Sequence, residues 1–217
     1  MKLIVANWKM YLGVKESIAL AKKTRKGKNE IVVCPSFAAL TGVGKALGRG
    51  VKLGAQNVSW QAGGALTGEV SAGMLSELGC RYVIVGHSER RRFLNESDIV
   101  VREKLKAVLA EKIIPILCVS EISELTILNN LSVEKMVIAY EPVWAIGTGK
   151  TPTMDEIAAM HKKIQAKAGK SVKNLRVIYG GSVDEKNIEK ILATPGVDGV
   201  LIGGASAKLV SWKKIIS

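Results

Sequence analysis

The chain is poor in the residues that hold metals and disulfides. Its 217 residues include two histidines and three cysteines. Cys34, Cys80 and Cys118 are widely spaced, odd in number and form no CxxC pair. That argues against a zinc site and leaves reduced thiols of a cytoplasmic protein as the plain expectation. No apolar run approaches the ~20 residues of a membrane span, so no membrane partner is expected. The first residues, MKLIVANWKM, lack the apolar core and small-residue cleavage site of a signal peptide. No Pro- or Ser-rich linker interrupts the chain, and residues 1–217 read as one domain. With 47% hydrophobic residues, the composition is not that of a disordered chain. Acid is the scarcer charge: 19 carboxylates against 32 lysines and arginines, a formal +13. Such a balance suits anionic partners such as phosphorylated metabolites, nucleic acid or an acidic surface, or else a solvated basic coat. Aromatics are only 5% of the chain, and the cations are scattered, mostly on helix-like segments. A clustered stripe with stacking platforms is absent, so no nucleic-acid partner is expected.

Short apolar runs recur along the whole sequence. They are LIVANW (3–8), EIVVCP (30–35), VKLGAQN (51–57), YVIVGH (82–87), IPILCV (114–119), MVIAYE (136–141), RVIYGG (176–181) and GVLIGG (199–204). Continuous rather than alternating hydrophobicity marks strands covered on both faces, as in parallel sheets. Helical patterns lie between them. Val100, Val101, Leu105, Val108 and Leu109 form one stripe; Ile157, Met160 and Ile164 form another; Ile188, Ile191 and Leu192 mark a third. Val14, Ile18 and Ala21 suit a helix after the first strand. Thr153 and Glu156 have the spacing of a capping box. Eight strands alternating with helices predict the α/β class and a closed (β/α)8 barrel. The chain is short for such a barrel, which usually needs ~250 residues. The loss is concentrated between Val119 and Met136, where the fifth βα connection has room for about two turns around Leu125 and Leu128.

In such barrels the active site sits at the C-terminal ends of the strands. Those ends carry Asn7 and Lys9, Gln56 and Asn57, His87, Cys118, Glu141, Gly180 to Ser182, and Gly203 with Gly204. Each alone has an ordinary structural explanation; their meeting on one rim is what points to chemistry. A carboxylate such as Glu141 can take a proton from carbon only if an electrophile stabilises charge on the neighbouring oxygen. His87 and Lys9 could supply it. A short helix starting at Ser88 would disfavour the imidazolium and leave His87 a neutral donor. The GGS and GGA turns suit a phosphate, since without Cβ atoms their backbone N–H groups can close on an anion. GTGKT (147–151) resembles the tail of a nucleotide-binding loop, but the glycine required five residues before Gly149 is Trp144. Residues 142–151 read instead as a lid, with Gly147 closing on the phosphate and water excluded from Glu141.

Together, NWKM (7–10), GAQN (54–57), VGHSERR (85–91), ILCV (116–119), AYEPVWAIGTGK (139–150), YGGSV (179–183) and GGAS (203–206) resemble the triosephosphate isomerase family, in its order and across all eight strands. The resemblance implies a TIM barrel that interconverts dihydroxyacetone phosphate and glyceraldehyde 3-phosphate without metal or organic cofactor. A glutamate base, a neutral histidine and a closing loop are what this family is known for. It implies Glu141 as the base, His87 as the electrophile, and Lys9 with Asn7 beside the substrate's charge. Gly147, Ser182, Gly203 and Gly204 would hold the phosphate, with Glu89 and Cys118 as supporting residues. GAQNVSWQAGGALTGEVSAGML fits the family's long third loop, whose tip, here Thr67, docks beside a second subunit's site. A homodimer is thus implied; a loop folded over its own rim would leave Trp60 and Leu66 costly in water. Three departures stand out: Tyr11 in place of asparagine, Ser120 in place of glycine, and Pro152, which fixes φ at the lid's exit. The short fifth connection predicts a thinly covered barrel wall, which a higher oligomer could cover.

Overall fold

The computed structural model describes residues 1–143 and 152–217. Eight parallel strands close into one barrel in chain order, with β1 pairing both β2 and β8. They are β1 (Leu3–Asn7), β2 (Glu30–Cys34), β3 (Lys52–Ala55), β4 (Tyr82–Val85), β5 (Ile114–Val119), β6 (Val133–Tyr140), β7 (Val172–Tyr179) and β8 (Gly199–Ile202). The helices described are α1 (Val14–Lys23), α2 (Leu40–Ala46), α3 (Ala72–Glu77), α4 (Ser88–Leu94), α5 (Asp98–Ala110), α6 (Met154–Ala168), α7 (Ile188–Ala193) and α8 (Leu209–Ile216). None of them is long and apolar enough to cross a membrane.

Strand periodicity sorts the core into two layers. Leu3, Val5, Cys34, Tyr82, Ile84, Cys118, Val137, Ala139 and Leu201 belong to the barrel interior. Ile4, Ala6, Val83, Val85, Ile138 and Tyr140 belong to the layer beneath the helices. The same alternation makes Asn7 the next inward position after Val5, and Glu141 the next after Ala139. Both therefore emerge at the barrel mouth.

β6 and β7 begin earlier than the apolar runs predict. They pair from Val133 and Val172, with Lys135 opposite Asn174. Glu134, Lys135, Lys173 and Asn174 are exposed, so hydropathy gives no sign of a ladder made by backbone groups alone. α2, α3 and α8 also escape the apolar-stripe reading: α2 carries two glycines, α3 buries only Ala72 and Leu75, and the buried face of α8 includes Ser211. α3 takes the end of the segment read as a long loop; Val14 is an exposed first residue of α1 rather than part of its buried face. The Thr153–Glu156 capping box forms as expected.

The fifth connection is short, as expected, but the wall there is not bare. A 3-10 helix, Ile122–Leu128, replaces an α-helix and buries Leu125, Ile127 and Leu128. Its ends are tied to both flanking helices. Arg102 of α5 donates to the Ile127 carbonyl, and Lys167 of α6 donates to the Ile122 carbonyl at 3.1 Å. A bare wall calling for a further subunit is therefore not found.

Candidate active site

Glu141 ends β6 and is 1% exposed. Its Oε2 accepts the Ser88 amide at 2.9 Å, and its Oε1 lies 3.1 Å from His87 Nε2. The backbone amide of Glu89 donates to His87 Nδ1 at 3.2 Å. An acceptor at Nδ1 places the single proton of a neutral imidazole on Nε2, the atom that faces Glu141. His87 caps the N-terminus of α4. So a carboxylate and a ring nitrogen stand side by side, both side chains buried.

Lys9 follows β1 with φ of 47°, a left-handed conformation uncommon for lysine. Local bonds hold it there. Its amide donates to Asn7 Oδ1 at 3.1 Å, and Gln56 Nε2 donates to both the Lys9 and Cys34 carbonyls at 2.9 Å. Lys9 Nζ reaches Glu89 Oε1 at 2.6 Å. Glu89 thus supports both Lys9 and His87. Cys118 lines the barrel interior beneath Glu141; burial, and then that carboxylate's charge, push its thiol well above the ordinary range.

Asn7, Lys9, His87, Glu141 and the turns at Gly180 to Ser182 and Gly203 to Gly204 surround one cleft of about 220 Å³. The glycines are there for space rather than for a left-handed backbone. A Cβ at Gly181 would fall on the Tyr179 hydroxyl, one at Gly180 would lie 2.9 Å from Glu141 Cγ, and one at Gly203 3.2 Å from Lys9 Cε. Gly204 is less crowded, with the Tyr11 ring 3.8 Å from a Cβ there. The Ser182 carbonyl accepts from Asn187 Nδ2 at 3.0 Å, and Asp184 Oδ1 accepts the Lys186 and Asn187 amides.

The structure therefore gathers Asn7, Lys9, His87, Glu141, Ser182, Gly203 and Gly204 at one mouth, with Glu89 and Cys118 against it. Gly147 and the rest of the expected lid from Trp144 to Thr151 lie outside the described residues. Thr67 is exposed on the loop after β3 and is not among the residues that line this cleft. Tyr11, Asp184, Asn187 and Leu201 line the cleft without having been picked out as site residues. The D-x-x-N spacing of Asp184 and Asn187 is a turn signal that could have flagged that pair.

A family model described as triosephosphate isomerase matches residues 2–217. Proteins named triosephosphate isomerase from Rhodopirellula baltica, Herpetosiphon aurantiacus and Moorella thermoacetica are 42%, 41% and 40% identical to this chain. Each alignment covers 99% of the chain and 96–97% of the relative. The aligned spans of 242–243 positions exceed the chain's 217 residues, so these relatives carry residues that it lacks. Matched over nearly its whole length, with the eight-stranded barrel closed around the mouth just described, the chain belongs to the triosephosphate isomerase family.

Proposed function

We propose that Glu141 and His87 carry the aldose–ketose isomerisation of this family in this chain. The reaction interconverts dihydroxyacetone phosphate and D-glyceraldehyde 3-phosphate through an enediolate. One observation carries the assignment of roles: a carboxylate that is 1% exposed, 3.1 Å from a ring nitrogen whose partner nitrogen already accepts a hydrogen bond. In this scheme Glu141 removes a proton from one carbon of the bound triose and returns it to the other. The Nε2–H of His87 polarises the carbonyl oxygen and moves protons between the two oxygens. The Lys9 ammonium, steadied by Glu89, offsets the charge that develops on oxygen. Asn7 fixes the Lys9 backbone. Ser182, Gly203 and Gly204, with Gly147, hold the phosphate.

Glu141→Gln tests this directly. It keeps the side chain's shape and removes the base, so turnover of glyceraldehyde 3-phosphate should fall at least ~10²-fold. Turnover within a few-fold of wild type would remove Glu141 from the role.

We read residues 1–217 as one catalytic domain, acting in the cytoplasm as a homodimer. The exposed loop after β3, with Trp60 at 41% exposure and Thr67 near its tip, suits insertion into a second copy. A groove of about 540 Å³ beside the mouth, lined by Met10, Phe37, Gln56, Phe93 and Leu94, suits receiving it. Met10, Phe93 and Leu94 are more than half exposed in the single chain, a cost that pairing would relieve.

A further inference from the structure

One acid-poor stretch brings cations together away from the mouth. Residues 17–68 hold eight lysines and arginines and one carboxylate, Glu30, a net +7 of the chain's +13. Glu30 is already engaged, accepting from Arg176 Nη1 and from the Tyr82 hydroxyl at 2.7 Å each. α1 leads from the mouth end of β1 to the opposite end of β2. Its last turn, and the segment before β3, therefore meet at the N-terminal rim of the barrel.

There Lys22, Arg25, Lys26 and Arg49 line an open cleft of about 650 Å³ with no carboxylate in its wall. All four are exposed. Among the described residues none has an acidic partner within 4.0 Å. The Thr24 carbonyl accepts from Arg25 Nη1 at 3.1 Å. The cleft is shaped as well as charged. Gly48 and Gly50 flank Arg49, and Gly50 has φ of 83°. A Cβ at Gly48 would stand 3.2 Å from Arg25 Cδ, and one at Gly50 2.7 Å from Lys26 Cδ. The two glycines let the loop close on the stems of Arg25 and Lys26, which limits where their charged ends can go. Complementing the helix dipole accounts for Lys22 in the last turn of α1. It does not account for Arg25, Lys26 and Arg49, which lie beyond the helices.

Four like charges around one concavity repel one another, and an anion bridging them relieves that repulsion. The volume is that of a small-ligand site. Arginine forks and lysine ammoniums are the usual partners of phosphate oxygens. No aromatic side chain lines the cleft, so it offers no stacking platform for bases. We propose that this cleft binds a compact anion carrying several phosphate groups, of the tripolyphosphate class, separately from the active site.

Calorimetric titration of the purified chain with tripolyphosphate tests this. Arg25→Gln with Arg49→Gln should weaken binding at least about tenfold, since each lost charge-assisted contact approaches a factor of ten. Turnover should be unchanged. Arg49→Gln alone, in an exposed loop, gives the same test if the double variant folds poorly. Lys9→Met reports the share of binding at the mouth. Binding that falls with Lys9→Met and ignores both arginine variants would overturn the proposal. So would inorganic phosphate binding as tightly as tripolyphosphate, because the four cations would then not act together. A single-stranded RNA 20-mer binding more tightly than tripolyphosphate would make the rim a nucleic-acid surface and overturn the compact-anion assignment.

Discussion

Two histidines with opposite fates show how placement decides what a residue does. His87 sits at a helix start on the mouth with Nε2 3.1 Å from Glu141 Oε1. His161 lies on α6, fully buried, with Nδ1 3.1 Å from the Gly196 carbonyl and Nε2 without a hydrogen-bond partner among the described residues. Burial pushes the His161 imidazole below its usual range, against the opposing pulls of Gly196 and Asp198. The sign follows from which state binds the proton. Between the unfolded value of 6.5 and the lower folded value, the unfolded chain is protonated at this site and the native chain is not. Stability is therefore full above 6.5 and declines as pH falls through that window. Urea midpoints at pH 7.5 and 5.5 should show wild type losing stability on acidification. His161→Asn should lose less over the same interval. Equal losses would place the acid sensitivity elsewhere, since the carboxylates titrate lower.

At the scale of elements, the fifth connection is where this chain departs most from a full barrel. Seven residues of 3-10 helix pack between α5 and α6 against β5, and Leu125 is 2% exposed within that cover. Leu125→Ala should cost about 2–5 kcal/mol, the usual range for a buried leucine with little room to collapse. The denaturant midpoint would fall, while KM for the triose phosphate stays near wild type, because the mouth is built from other elements. A loss below about 1 kcal/mol would mean that α5 and α6 cover the wall without the turn. The connection's shortness is legible in the sequence; its adequacy is not. Adequacy depends on Arg102 and Lys167 reaching the turn's carbonyls from helices distant in the chain. The early starts of β6 and β7 are hidden for a related reason, since polar side chains say nothing about backbone pairing.

Two predictions belong to the whole molecule. Light scattering should give twice the 23.3 kDa chain mass, because the loop after β3 and the groove beside the mouth are each left exposed in one copy. A monomer mass at micromolar concentration would contradict the paired arrangement; a tetramer would bring back a role for a further interface. The second concerns charge. A basic mouth would steer a dianionic substrate and make kcat/KM fall with salt. Four of the chain's cations, however, line the cleft at the opposite rim. Arg25→Gln with Arg49→Gln should therefore show the same salt slope of kcat/KM as wild type. A flatter slope in the variant would return substrate steering to the rim.

The sequence by itself determined the eight strands, the β/α alternation, the short fifth connection and the placing of Asn7 and Glu141 at the mouth. These follow from local patterns: continuous apolar runs, caps, and the inward alternation that carries Val5 to Asn7 and Ala139 to Glu141. Only the tertiary structure decided which of those residues touch. Glu141 meets His87 because barrel closure brings the ends of β4 and β6 around one cleft. Gly181 must lack a side chain because the Tyr179 hydroxyl occupies its place. Arg25 and Arg49 share a cleft because α1 and the segment before β3 end at the same rim. Such contacts join residues far apart in the chain, and no local periodicity encodes the distance between them.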